Sequence, residues 1–249
     1  MKKLLFILLL SVVIGSCSDD AESIFGNSST STGGSLASIT IVGNHLYALN
    51  STSIIPVDIS DLSNPEVEEL VTIGTGLETI FPYNDKLFIG SASALFIYDI
   101  ENPARPQYFS FFSHATGCDP VVARGDYAYV TLRDGVSCNN PFRINVLEVV
   151  NVADQRNTFS TAQIELTNPR GLGIGCNNKL FVCDGEAGLL QFDLTDPSSP
   201  VLERSYDEYF ANDVLIQDDL LILTGEDGVF QFRCTEEGLE LLSKLPISI

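Results

Sequence analysis

Leu189-Leu190-Gln191-Phe192-Asp193-Leu194-Thr195-Asp196-Pro197-Ser198-Ser199-Pro200 is a short apolar run closed by an acid and a proline-bracketed turn. The run has strand composition, and the Asp, Pro and Ser that follow are turn residues. The same form returns as Ile54-Ile55-Pro56-Val57-Asp58-Ile59, as Leu95-Phe96-Ile97-Tyr98-Asp99-Ile100 and as Ile144-Asn145-Val146-Leu147-Glu148-Val149. A degenerate copy reads Val229-Phe230-Gln231-Phe232-Arg233-Cys234. In chain order the acidic positions are 41, 49 and 45 residues apart, with 40 more to Arg233. A period of about 40 to 50 residues is what a four-stranded propeller blade requires.

Each copy is preceded by two more strand-like runs joined by a short polar turn. The turns are Gly43-Asn44, Tyr83-Asn84-Asp85, Gly125-Asp126, Cys176-Asn177-Asn178 and Asp218-Asp219, and such short polar turns favour hairpins. A fourth, less regular run follows, as in Glu66 to Ile73 or Gln107 to Phe112. No part of the region carries a helical period. Five copies of four strands predict an all-β, five-bladed β-propeller over residues 36–249, with no room for a second ordinary domain.

The Leu95 to Asp99 core, with the Pro-x-x-Pro turns at Asp99 to Pro106 and Asp193 to Pro200, resembles the LVIVD repeat family of bacterial surface propellers. The resemblance implies a propeller on an exported protein and brings no established catalytic chemistry. The third copy departs from it, with Asn151-Val152-Ala153-Asp154 in place of the proline turn, and the fifth has Arg233 where the acid belongs.

Residues 1–16 read as a signal peptide: Lys2 and Lys3 precede an apolar run from Leu4 to Ile14, too short to span a bilayer. The ending Ile14-Gly15-Ser16-Cys17 resembles the bacterial lipobox, which makes Cys17 the expected lipid anchor. Ser18 after it resembles the outer-membrane sorting pattern, and Asp19-Asp20 an acidic surface-export tag. Residues 17–35 then form a tether, polar and glycine-rich from Asn27 to Ser35. The expected address is the outer membrane, lipid-anchored and facing the periplasm or the exterior.

Composition narrows the chemistry. Without residues 1–16 the chain keeps 11 basic against 33 acidic side chains, so nucleic acid is an unsuitable partner. The only histidines, His45 and His114, fall at opposite ends of a blade, and no phosphate loop or Gly-x-Ser-x-Gly elbow occurs. No cofactor and no metal is expected. Asp184-Gly185-Glu186 and Glu226-Asp227-Gly228 read as turns rather than calcium loops. The repeated acids likewise read as turn-formers that accept backbone N–H bonds.

Export permits disulfides. Cys118 opens the third copy and Cys138 lies in the loop that returns to the same end, so these two are expected to be bridged. Cys176 and Cys183 are poorly placed for each other, and Cys183 and Cys234 read as small buried apolar side chains.

Aligning the copies places Glu78, Asp119, Arg170 and Asp213 at one mouth of the central channel, flanked by the long loop Arg133 to Pro141. An arginine among carboxylates there can orient an anionic or sugar ligand, or close the channel as a solvated ion-pair network. The expected function is a binding or scaffolding module with a protein or glycan partner. The alternative is a hydrolase or lyase built from Glu78, Asp119 and Arg170 at the mouth.

Overall fold

In a computed structural model, the structure describes residues 34–114, 120–134, 144–154 and 157–247. Five antiparallel sheets follow one another along the chain, each made of consecutive strands. Blade 1 holds β1 (Ile39–Val42), β2 (His45–Leu49), β3 (Ser53–Asp58) and an outer strand broken into β4 (Glu66–Val67) and β5 (Val71–Thr72). Blade 2 holds β6 (Leu77–Tyr83), β7 (Lys86–Ser91), β8 (Ala94–Asp99) and β9 (Gln107–Ser113). Blade 3 holds β10 (Val121–Arg124), β11 (Tyr127–Leu132), β12 (Val146–Asn151) and β13 (Phe159–Glu165). Blade 4 holds β14 (Leu172–Gly175), β15 (Lys179–Cys183), β16 (Leu189–Asp193) and β17 (Val201–Tyr206). Blade 5 holds β18 (Asp213–Gln217), β19 (Leu220–Gly225), β20 (Gly228–Thr235) and β21 (Gly238–Pro246). This is the five-bladed propeller expected from the repeat.

The first hairpin of each blade sits at one end of the molecule, and its tight turn needs left-handed backbone. Gly43, Asn84, Gly125, Asn177 and Asp218 supply it, with φ of 57°, 52°, 58°, 61° and 55°, residue types that tolerate this region. At the same end the repeated acid opens the next turn: Asp58 accepts the Ser60 N–H at 2.7 Å and Asp99 the Glu101 N–H at 2.8 Å. These hydrogen bonds hold the Asp58 carboxyl below its ordinary pKa. Asp61 and Asp196 repeat the device three residues on, accepting from Ser63 and Ser198 at 2.9 and 3.0 Å.

The register corrects one alignment. The polar residue ending each third strand pairs with the first residue of the second: His45 with Asp58, Lys86 with Asp99, Lys179 with Asp193 and Leu220 with Arg233. In blade 3 the pair is Tyr127 with Asn151, and Asn151 accepts the Ala153 N–H at 3.1 Å. The repeating position is therefore Asn151, not Glu148. Glu148 lies mid-strand, buried, and accepts from Gln163 Nε2 at 2.8 Å. Blade 3 has an amide, Asn151, at the position that opens this turn, and the nearest acid before it in sequence misled the alignment.

Every third strand sends one face to the preceding blade and one to the next. Four apolar cores result, between blades 1 and 2, 2 and 3, 3 and 4, and 4 and 5. The third residue of each second strand is the plug of the junction ahead: Tyr47, Phe88, Tyr129 and Phe181 are 0–2% exposed. Tyr47 and Tyr129 also donate their hydroxyls to the carbonyls of Pro103 and Pro197, in the turn of the following blade, at 3.0 and 2.9 Å. Among the described residues no core joins blade 5 to blade 1, and no strand crosses from one end of the chain into the other blade. Ser35, ahead of blade 1, reaches blades 4 and 5 at the mouth, where its Oγ accepts the Leu172 N–H at 2.8 Å and lies 3.5 Å from Asp213 Oδ1.

Cys176, in the blade 4 hairpin, is bonded to Cys234 at the end of β20, with Cα atoms 5.6 Å apart. The bond ties the hairpin ends of blades 4 and 5. This corrects the expectation that Cys234 is a free apolar side chain: it lies next to Cys176 only because the two blades are packed together, 58 residues apart in sequence. Cys183 is a buried free thiol, as expected, and burial pushes its pKa well up. Cys118 and Cys138 lie outside the described residues, as do Cys17 and the tether up to residue 33.

Candidate functional site at the channel mouth

The mouth is the end where the first strands begin. Arg170 stands immediately before β14, its N–H bonded to the Cys183 carbonyl at 2.7 Å and its carbonyl accepting Thr131 Oγ1 at 2.6 Å. These bonds to blade 3 and to its own second strand fix its backbone. Its guanidinium donates from Nη1 to Asn212 Oδ1 at 2.6 Å and lies 5.0 Å from the centre of the Phe210 ring. Its Nε is buried and has no hydrogen-bond partner.

Arg133, at the end of β11, is near enough to Arg170 for the two charges to interact. Burial and then the Arg170 charge hold the Arg133 guanidinium below its ordinary pKa, while Glu78 opposes the shift. Glu78 is exposed, in the bulge of β6 between Leu77 and Thr79.

Asp213 begins β18. It packs against Gly171, Gly34 and Ser35, and burial pushes its carboxyl up to about 6. A Cβ at Gly171 would overlap Asp213 Oδ1, so only glycine lets the two blades approach this closely. Below lies a cavity of about 100 Å³ lined by inner-strand residues of blades 2 to 5, among them Phe81, Val122, Leu172 and Val214.

The structure thus brings Glu78, Arg170 and Asp213 to one end, with Glu78 near Arg133 and Asp213 set apart as part of the packing. Asp119 lies outside the described residues, as does most of the loop beyond Asp134. Arg133, Asn212 and Phe210 are the mouth residues that the repeat alignment did not select. Arg133 stood in the sequence as the first residue of a long loop, and Asn212 beside Asp213, but neither repeats from blade to blade.

Two other places are explained by the fold. Asp184 is buried and accepts the N–H groups of Thr167 and Asn168, at 3.0 and 2.6 Å, so Asp184-Gly185-Glu186 is a turn. His45, Asp58 and Glu68 gather within reach of one another at the hairpin end. That is the place of the Lys86–Asp99 pair at 3.4 Å and of Lys179 with Asp193 and Glu203 at 2.9 Å each, so it is the repeat's own cross-strand charge position. His114 follows β9 at the opposite, mouth end, its N–H on the Ser93 carbonyl at 3.2 Å. A polar cavity of about 460 Å³ lies beside the Cys176–Cys234 bond, lined by Lys179, Gln191, Glu203 and Arg204.

Comparison with known proteins supports the fold. The LVIVD repeat model matches residues 33–72 and 177–208, which are blade 1 and most of blade 4. The chain therefore carries LVIVD repeats. No curated protein sequence matches it. Among solved structures it is similar to a Lactobacillus plantarum protein, at 12% identity and TM-score 0.66, covering 82% of this chain and 73% of that one. Citrobacter koseri AztD gives 13% and 0.57, with 83% and 63% covered; Kluyveromyces lactis Hsv2 gives 13% and 0.54, with 83% and 60% covered. The chain spans less than two thirds of these last two, and at such identities each likeness shows the propeller fold alone.

Proposed function

We propose that this LVIVD-repeat propeller is a binding module of the cell envelope, held to the outer membrane through a lipid on Cys17, whose partner presents an anionic group to Arg133 and Arg170 at the channel mouth. The observation that supports the reading is Arg170 at the mouth, whose buried Nε has no hydrogen-bond partner and which is near enough to Arg133 for the two charges to interact, in a chain with 13 basic and 33 acidic side chains. Arg170 spends its one strong side-chain bond on a neutral amide and keeps a buried Nε without a partner. A carboxylate or similar anion seated between the two arginines would accept bidentate hydrogen bonds and relieve their repulsion. Loops carried on a rigid blade scaffold are where binding chemistry is normally placed. The Cys176–Cys234 bond agrees with an oxidising compartment outside the cytoplasm. The hydrolase or lyase alternative has less support, because of its three residues Glu78 is exposed and Arg170 is bonded to the Asn212 amide.

The test is recovery of partners from the native envelope with the tagged full chain, followed by binding assays against acidic and neutral glycans and against the recovered proteins. Arg170→Ala and Arg133→Gln should each weaken binding by about ten- to a hundredfold, the worth of a charge-assisted hydrogen bond. Equal binding of neutral and acidic ligands, or binding untouched by both variants, would sink the reading.

A further inference from the structure

At its hairpin end the junction between blades 4 and 5 is built differently from those before it. In blades 2 and 4 the chain leaves the third strand through a long turn, Ile100 to Pro106 and Leu194 to Pro200. Each turn lies against the preceding blade, where the Pro103 and Pro197 carbonyls accept Tyr47 and Tyr129. Blade 5 has no such turn: β20 runs on to Thr235 and the chain returns at Gly238, with only Glu236 and Glu237 between. The place that a proline turn covers at those two junctions is here the open cavity of about 460 Å³. Its walls differ as well. Blade 2 presents Ile97 from its third strand and Phe109 from the bulge of its outer strand to the core it shares with blade 3. The same two register positions in blade 4 hold Gln191 and Glu203. Gln191 is 6% exposed; its Nε2 donates to Glu203 and its Oε1 accepts the Tyr206 hydroxyl, both at 3.0 Å. The Tyr206 oxygen accepts the Leu239 N–H of blade 5 at 3.2 Å, and Lys179 donates to Glu203 at 2.9 Å. One network thus fixes an amide, a carboxylate and an ammonium, and the Cys176–Cys234 bond ties the two walls together. Burying an amide where the corresponding residues Ile97 and Val149 are apolar costs stability, and a fixed set of polar groups in a concavity of this size is the form of a ligand site.

We propose that this cavity binds a neutral sugar. Lys179 and Arg204 stand against Glu203 and Glu236 around it, so the two signs are balanced and a charged ligand gains at one wall what it loses at the other. A hydroxyl both donates and accepts, so a ring of hydroxyls can bond the carboxylates and the cations together. Phe181 and Leu239 supply the apolar part of the wall, against which the C–H face of a sugar ring packs. The volume lies within the range of about 300–1,000 Å³ in which proteins hold small ligands. The site is at the hairpin end, opposite the mouth that carries Arg133 and Arg170, and it does not depend on the anion reading of that mouth.

The test is saturation-transfer NMR and calorimetric titration of the full chain with glucose, galactose, mannose, rhamnose and N-acetylglucosamine, with glucuronic acid and glucosamine as charged controls. At least one neutral sugar should bind, and more tightly than either control. Gln191→Leu, which restores the apolar side chain of the other junctions, should weaken that binding by about tenfold or more without lowering the melting temperature. Arg204→Gln, a change of an exposed side chain, should weaken it in the same direction with the fold untouched. Arg170→Ala at the mouth should leave it unchanged. Binding of no neutral sugar, tighter binding of a charged control, binding unmoved by both Gln191→Leu and Arg204→Gln, or binding lost in Arg170→Ala each overturns the proposal, and the last would place the sugar at the mouth instead.

Discussion

Gly171 and Asp213 touch across the seam between blades 4 and 5, with no space between them for a side-chain carbon. The Gly171 N–H is bonded to the Asn212 carbonyl at 3.0 Å, so the contact is fixed from both sides by backbone. It brings the inner strands together at the mouth and leaves the Asp213 carboxyl among buried neighbours.

Gly171→Ala should lower stability by about 1–3 kcal/mol, the usual cost of overpacking a close contact. Gly74→Ala is the control, because nothing lies within 4 Å of its added Cβ and its φ lies outside the left-handed region. Chemical denaturation of both variants measures the difference, and equal midpoints would show that the seam relaxes freely.

Asp213 should make the fold more stable in mild acid. Its carboxyl has a pKa of about 6 when folded against 3.8 ordinarily, so between these values the folded chain holds more protons than the unfolded chain. Stability from this group is full below about pH 3.8 and is lost as the pH rises through about 6. Asp213→Asn should remove that dependence and raise stability at pH 7 by on the order of 1–3 kcal/mol. Urea melts at pH 4.5 and pH 7 check both, provided each variant is compared with the parent at the same pH.

The Cys176–Cys234 bond closes a span of 58 residues, worth about 4 kcal/mol in the chain-entropy model. Replacing both cysteines with serine should lower the denaturation midpoint accordingly. Peptide mapping without reduction should recover residues 176 and 234 in one linked species, and two separately alkylated thiols would contradict the pairing.

Tyr129→Phe should cost about 1 kcal/mol by removing the hydroxyl that reaches the Pro197 carbonyl, with the ring left in place. Tyr47→Phe removes the same bond to Pro103 and should cost a similar amount. The two losses should add, since the junctions share no residues. A neutral effect in both would mean that water replaces the phenol at no cost.

Cys17→Ser should release the protein from membranes if Cys17 bears the lipid. Fractionation with a carbonate wash measures it, and a variant that stays with the envelope would refute the anchor.

The repeat and its strands were legible because each blade obeys the same local chemistry. An Asp or Asn accepts the N–H two residues on, a Gly or Asn takes positive φ in the hairpin, and apolar residues fill both faces between. Even the turn reading of Asp184 followed from such local rules. Blade 3 was misaligned where its turn uses Asn151, since an amide satisfies the same N–H without the charge that made the other copies visible. What the sequence by itself determined was therefore the blade, its period and the end at which its turns lie, all consequences of interactions within a few residues. The tertiary structure alone decided which residues of different blades meet: Cys176 with Cys234, Asp213 with Gly171, and Tyr129 with the Pro197 carbonyl. Those meetings depend on how one sheet is turned on the next, and that turn is set by the side chains filling each junction together, which no single stretch of sequence contains.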